Sequence, residues 1–506
     1  MTGALARPVL LAAVLGVACG PAWGADGADR IAAALAARGV SASALGLIGN
    51  AVAHRALPEP PAAGKGTQRY LDDPVAALAV ADALDLPAAA SPPPTLDWAP
   101  PADLPEPVRD FVARLVAAAA DLTVHVAAMV PGPCCERAAL IAAAAAYGGD
   151  AAVERLVREV DRAALDRAAA AAMGVRALVL GAFAGVAHDA AGALLSGHEL
   201  ADALALIPGR RFSSPVGTVV IAPAASTVHE APAAIVIDVG GSDSYRLDRL
   251  GAEGTLVIVD LAGNDTYAGD DTAVRAARVS IDFAGDDLRE SDGGGQGAAI
   301  GGVSVLHDGA GADRYRARVF AQGAAVAGFA ALIDEAGDDR YQIGARGQGF
   351  GGPVGFGALV DRDGKDSYRA EGGLADPFGE PGGGLSFAQG AAAGLGGRLA
   401  GGIGLLRDLA GDDRYEAEKY AQGVGADRGL GVLDERGGDD SLVATHYGQG
   451  FGVRAGIGLV RERDGFDGYW LAEGAGQGAG LDFGIGALVD DAGGDRYQAR
   501  RFAQGA

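Results

Sequence analysis

Acids recur in pairs five residues apart along the second half of this chain of 506 residues. The pairs are Asp238 and Asp243, Asp260 and Asp265, Asp282 and Asp287, Asp308 and Asp313, Asp334 and Asp339, Asp361 and Asp366, Asp408 and Asp413, and Asp490 and Asp495. Each stands in one phrase: an apolar run ending in the first acid, a Gly-containing turn, the second acid, and usually a Tyr two residues on, as in Asp260-Leu-Ala-Gly-Asn-Asp265-Thr-Tyr267. Calcium is a hard cation that takes six to eight oxygens from carboxylates, carbonyls and water. The paired Asp residues are therefore candidate calcium ligands, supplied by adjacent repeats.

The elements that must position them follow from the period. The leading acids fall at 238, 260, 282, 308, 334, 361, 408, 434, 462 (a Glu) and 490, a spacing of 22 to 28 residues with one long step. A fixed period of this length signals a stacked repeat architecture. The runs before the acids, such as Gly355-Phe-Gly-Ala-Leu-Val360, are too short for helices, and the Gly and Asp between them suit tight corners. A second phrase, Gln-Gly, follows the Tyr by seven residues at Gln322, Gln348, Gln422 and Gln504, with Gln296, Gln389, Gln449 and Gln477 close to register. The expectation is a parallel β-solenoid (β-helix) of about ten coils.

In such a stack, coils lie about 4.8 Å apart and identical residues form ladders. Tyr is expected to stack on Tyr, and Gln amides to bond Gln amides. Like charges at that spacing repel by about 3 kcal/mol per pair at an effective dielectric near 20. Three offsets are open to the acid columns: wet corners where backbone N-H groups and water screen them, pairing with Arg314, Arg340, Arg414 and Arg496, or calcium.

Gly240-Gly-Ser-Asp-Ser-Tyr245 and Gly263-Asn-Asp-Thr-Tyr267 resemble half of the Gly-Gly-x-Gly-x-Asp-hydrophobic nonapeptide of RTX calcium-binding β-rolls. The match covers about six residues per coil and occurs once in about 26 residues, whereas an RTX roll repeats every nine on both sides of the coil. The chain also resembles secreted bacterial Gly/Asp-rich β-solenoid repeat proteins with Gly-Asp-Asp-x-Tyr and Ala-Gln-Gly phrases, a resemblance that brings no activity with it.

Arg7, the apolar run Val9 to Cys19 and the small residues Ala22 and Gly24 read as a secretory signal over 1–24. Cys19 offers a lipoprotein alternative. The expected location is the periplasm, the outer surface or the medium. The longest later apolar run, Ala177 to Ala187, falls short of the roughly 20 residues that span a bilayer. Formal net charge is −24 with three Lys, which argues against nucleic acid, whose phosphates need Lys and Arg. Cys134 and Cys135 are adjacent and cannot staple distant parts of the fold.

Residues 25–206 are Ala-rich and helical in pattern, interrupted by a Pro-rich linker over 87–107, and 207–506 form the repeat region. Val108, Phe111, Val112, Leu115 and Leu122 make one apolar stripe, and Val153, Leu156, Val157 and Val160 another. The helical region is a natural cap for one end of the stack. At the other end, a last coil stopping at Gln504-Gly-Ala506 leaves an open edge, which suggests end-to-end self-association or a truncated sequence.

The long step holds an inserted loop, Leu374 to Gly384, whose Asp376, Phe378 and Glu380 are candidates to line a binding groove. Asp121 and His125, one helical turn apart, and His188, Asp189, His198 and Glu199 match no strong metal signature. The reading is an exported, non-enzymatic structural or adhesive scaffold of the cell envelope, with calcium at its corners and polysaccharide or another envelope protein as partner. The alternative is a carbohydrate-active β-helix enzyme, a polysaccharide lyase or hydrolase, because that fold hosts such activities.

Overall fold

The computed structural model describes Leu86 and residues 96–131, 136–145, 151–186, 199–251, 254–376, 383–395 and 398–504. Residues 1–24, read above as a secretory signal, with Cys19, the stretch 25–85, residues 87–95 of the Pro-rich stretch, Cys134, Cys135, His188, Asp189, His198, Phe378 and Glu380 lie outside the described residues.

The described helices ahead of the sheets are α1 (Glu106–Met129), α2 (Arg137–Ala145), α3 (Ala151–Glu159), α4 (Arg162–Ala182) and α5 (Glu199–Ala205). Pro105 and Pro107 flank the first residue of α1, where a missing N-H costs nothing. The Asp161 carboxylate caps α4 by accepting from the N-H groups of Ala163 and Ala164 at 2.9 and 3.2 Å. The stripe read in the sequence, Val108, Phe111, Val112, Leu115 and Leu122, is fully buried. α1 is long and apolar enough to cross a membrane, a length the run at 177–187 does not reach, and here half of its apolar stretch is buried within the protein. Asp121 and His125 form an ordinary i,i+4 pair on its surface at 3.5 Å.

From Arg210 the chain builds two long sheets, each twelve strands, with a narrow third face made of two-residue strands. Every neighbour is parallel except the first pair, Arg210–Ser214 against Gly217–Ile221, and two-residue bridges near the inserted loop. In the first sheet, Asp238 pairs with Asp260, Asp260 with Asp282, and Asp308 with Asp334. In the second, Tyr245 pairs with Tyr267, Tyr315 with Tyr341, and Tyr341 with Tyr368. A β-Cβ at Gly285 would lie 1.3 Å from the carbonyl oxygen of Gly263, and its φ is +145°, so only Gly lets successive corners stack there.

One apolar core runs from the helices into the first sheet. Phe183 meets Phe111 of α1 edge-on, ring centroids 5.3 Å apart, and Phe283 of the repeat region at 5.5 Å. Arg176 of α4 donates to His307 at 3.2 Å and Glu335 at 3.1 Å, and Glu154 of α3 pairs with Arg398. Burial, then Arg176 and Arg362, lower the His307 pKa to about 3, which keeps it a neutral acceptor for that guanidinium. These contacts fall on successive repeats, so the helices run beside the stack. The free edge of the first sheet is formed by the antiparallel strand Arg210–Ser214, a closure that the expectation of a helical end cap did not include.

Candidate cation-binding column

Alternation along each strand sets the site. In the first sheet, Leu306, Leu332, Leu359, Leu406 and Leu433 face the buried Tyr column, and the acid two residues after each Leu faces the same way. Tyr rings stack at 4.4 to 4.9 Å between centroids and within 8° of parallel, as the sequence leads one to expect. Their hydroxyls bridge the first acid column: Tyr341 donates to Asp334 at 3.1 Å and Asp361 at 2.6 Å, and Tyr267 to Asp282 at 2.5 Å.

The second acid column makes its own ladder. One carboxylate oxygen of each member accepts the backbone N-H of the corresponding acid in the preceding coil. Asp265 N-H reaches Asp287 Oδ1 at 2.8 Å, Asp313 reaches Asp339 at 2.6 Å, Asp339 reaches Asp366 at 2.7 Å, and Asp413 reaches Asp440 at 2.6 Å. The other oxygen finds no donor. This holds for Oδ2 of Asp243, Asp265, Asp287, Asp313, Asp339, Asp366, Asp413, Asp440 and Asp467, and for Oδ1 of Asp282, Asp308 and Asp361 in the first column.

The expected backbone N-H bonds to the acids are present, but the corners are buried rather than wet. Asp260, Asp282, Asp308, Asp334, Asp361 and Asp408 are 0% exposed, and Asp265, Asp287, Asp313, Asp339, Asp366 and Asp413 no more than 2%. The Arg pairing is also overturned, because Arg314, Arg340, Arg414 and Arg496 point outward and are exposed, Arg414 binding Glu416 instead. Strand alternation decides this, since a residue next to an inward Asp must face out.

Three carboxylates, two from one coil and one from the coil before, bring oxygens within 4.8 Å of one another. The triads include Asp243, Asp260 and Asp265; Asp265, Asp282 and Asp287; Asp287, Asp308 and Asp313; and Asp313, Asp334 and Asp339. Such buried clusters are able to hold a metal ion. Burial, reinforced by the neighbouring carboxylates, raises their pKa values: Asp265 and Asp313 to about 7, Asp366 to about 8, Asp339 and Asp413 to about 10. Anionic carboxylates crowded away from water call for a counterion or a proton.

Register also corrects the sequence reading. Arg407 pairs with Asp434, so Asp408 lies opposite Glu435, and Tyr415 donates its hydroxyl to Glu435. The column member in that coil is Glu435. Asp434 faces the other way and is held by Arg407, Arg436 and Arg463. Glu435 with Asp440, and Glu462 with Asp467, complete the columns at the same five-residue spacing, which was the signal that could have found them. Asp490 and Asp495, in the last coil, are half-buried.

The Gln corner differs from expectation too. Gln322 reaches Gln296 at 3.2 Å, but the recurring bonds run from Nε2 to two backbone carbonyls, one in its own coil and one in the next. Gln422 donates to Tyr415 O at 3.2 Å and Val443 O at 3.0 Å, and Gln348 to Tyr341 O at 2.9 Å. Each Gln holds a left-handed backbone, φ +50° to +61°. The side-chain bonds offset a strain of order 1 kcal/mol.

The inserted loop does not present Asp376 to a groove. Asp376 is half-buried with its side chain only 6% exposed, and pairs with the fully buried Lys419 at 2.7 Å, while Gly384 N-H donates to Glu418. An open groove of about 740 Å³ lies elsewhere, across the outer face of the second sheet. There Arg316 bonds Glu290 and Gln342, and Gln342 bonds Glu371, so its polar groups satisfy one another. No known family model matches this chain, nor does any curated protein or solved structure. Function is therefore argued from geometry.

Proposed function

We propose that the repeat region is a closed parallel β-solenoid of about ten coils that folds around a file of calcium ions, and that it serves as an exported, non-enzymatic scaffold of the cell envelope. The observation that carries the calcium reading is the donorless carboxylate oxygen in each buried triad. Each coil contributes two column acids, so one divalent cation per coil balances the charge. Neutralising the twenty acids of both columns brings the formal net charge from −24 to −4. Oxygen-only donors favour calcium over softer metals. Scaffold is preferred to enzyme because the acids obey the repeat and face inward, out of reach of a polymer. Polysaccharide or another envelope protein is the partner class, met on the outer faces. The leader over 1–24 supports export.

Binding to the native state alone raises stability by mass action. Thermal unfolding of the full chain at pH 8, with calcium and with chelator, tests the reading. A midpoint higher in calcium is expected, and equal midpoints would sink it.

A further inference from the structure

Three rungs of the Tyr column are not Tyr: His229 precedes Tyr245, Leu442 stands between Tyr415 and Tyr469, and Arg289 stands between Tyr267 and Tyr315. Arg289 pairs in register with Tyr267 on one side and Tyr315 on the other, and it is 2% exposed. Its guanidinium lies over the Tyr267 ring, 3.7 Å from the centroid. Nη2 approaches three column acids at once: Asp282 Oδ2 at 3.2 Å, Asp308 Oδ2 at 3.4 Å and Asp287 Oδ2 at 3.7 Å. These acids belong to two consecutive triads, and Asp287 is common to both. Where most rungs place a neutral phenol, this one places a permanent cation. A guanidinium cannot be deprotonated in a protein.

We propose that Arg289 is the resident cation of the column: it neutralises the acids of its own rung and excludes calcium from the two triads it touches, dividing the file of metal sites in two. The inference rests on the calcium reading above. A divalent ion between Asp282, Asp287 and Asp308 would sit against the guanidinium and compete for the oxygens it engages. Triads further along, such as Asp313 with Asp334 and Asp339, have no guanidinium within ion-pair distance among the described residues, whereas Asp282, Asp287 and Asp308 each have one. The column thus carries an internal control: the Arg289 rung shows what a permanent cation does there, and the rungs from Tyr315 to Tyr415 place only phenols beside their acids. Arg289 acts by occupying charge and space and needs no metal to be held.

Calcium bound per chain is measured by equilibrium dialysis and elemental analysis on full-length wild type, Arg289→Tyr and Arg289→Lys, all at pH 8. Arg289→Tyr should bind about one to two more calcium ions than wild type, as the freed triads regain the ligand set of their neighbours, and Arg289→Lys should stay at the wild-type number. Anomalous scattering from wild-type crystals grown in calcium gives a second readout that needs no variant to fold. Peaks are expected at the triad of Asp313, Asp334 and Asp339, and none at the triad of Asp265, Asp282 and Asp287 or that of Asp287, Asp308 and Asp313. A peak at the Arg289 rung in wild type, an unchanged count in Arg289→Tyr, or a raised count in Arg289→Lys would overturn the proposal while leaving the calcium column standing. Absence of calcium from wild type altogether would overturn both, and that outcome is read from the wild-type measurement alone.

Discussion

At the Gln corner each coil buries a neutral amide whose Nε2 satisfies two backbone carbonyls, so stacking one more coil completes the Nε2 bonds of the last while Oε1 stays without a donor. At the Asp corner each coil buries two carboxylates, and stacking one more coil closes only half of their oxygens. Both corners repeat with the same period and both are dry. The difference is charge. A neutral ladder tolerates the donorless Oε1 that Gln322, Gln348, Gln389, Gln422, Gln449 and Gln477 each keep, whereas an anionic ladder repeats its own repulsion at every rung and needs a proton, an Arg or a metal.

The largest expected effect separates the two corners by metal. At pH 8, with calcium a thousandfold above its dissociation constant, each occupied site contributes about 4 kcal/mol by mass action, and several sites act together. Chelation should lower the unfolding midpoint of wild type by more than any single substitution at the Gln corner, as calorimetry will show.

Titration sharpens the contrast. The column acids have folded pKa values raised from the ordinary range near 4, to about 6 for Asp334 and Asp467, about 7 for Asp265 and Asp313, and about 10 for Asp339 and Asp413. A raised carboxyl pKa means the folded state binds protons more tightly than the unfolded one, so the stability it lends is full below pH 4 and lost as pH rises through the folded values. Metal-free protein should therefore lose stability steadily between pH 4 and 10. Calcium needs ionised ligands, so its stabilisation should grow over the same interval. Denaturant midpoints across pH, with and without chelator, check both slopes, and parallel curves would break the comparison.

Gln422→Ala should cost about 1 to 3 kcal/mol, because two carbonyls lose their donor in a buried corner. The cost should be the same with calcium or chelator and at either pH. Asp413→Asn should divide by condition: a loss in calcium, and in chelator at pH 8 a gain of about 1 kcal/mol or more, because Asn spares the folded state the proton that Asp413, its pKa raised to about 10, takes up at that pH. The smallest effect belongs to Arg340→Ala, whose side chain faces out, with a change within about 0.5 kcal/mol in either condition. A large loss there would return the charge balance to the Arg neighbours.

The sequence by itself determined the repeat, the parallel stacking, the Tyr ladder and the apolar stripe of α1, because each depends on spacing along one chain. A period of about 26 residues with Tyr at a fixed offset admits only in-register stacking. It also placed seventeen of the column acids, Glu462 among them, and the five-residue spacing contained the remaining three, Glu435, Asp440 and Asp467. Only the tertiary structure decided which way those acids face and what surrounds them. Burial is a property of several coils together, so the dryness of the Asp corner, the exchange of Asp434 for Glu435 and the seat of Asp376 against Lys419 are invisible to one phrase read alone. Arg289 shows the division plainly: the sequence marks it as the residue standing where Tyr is usual, and only stacking brings its guanidinium against acids from two coils. Local pattern fixes what repeats, and the electrostatics of the rung arise when neighbours 22 and 26 residues apart in the chain come into contact.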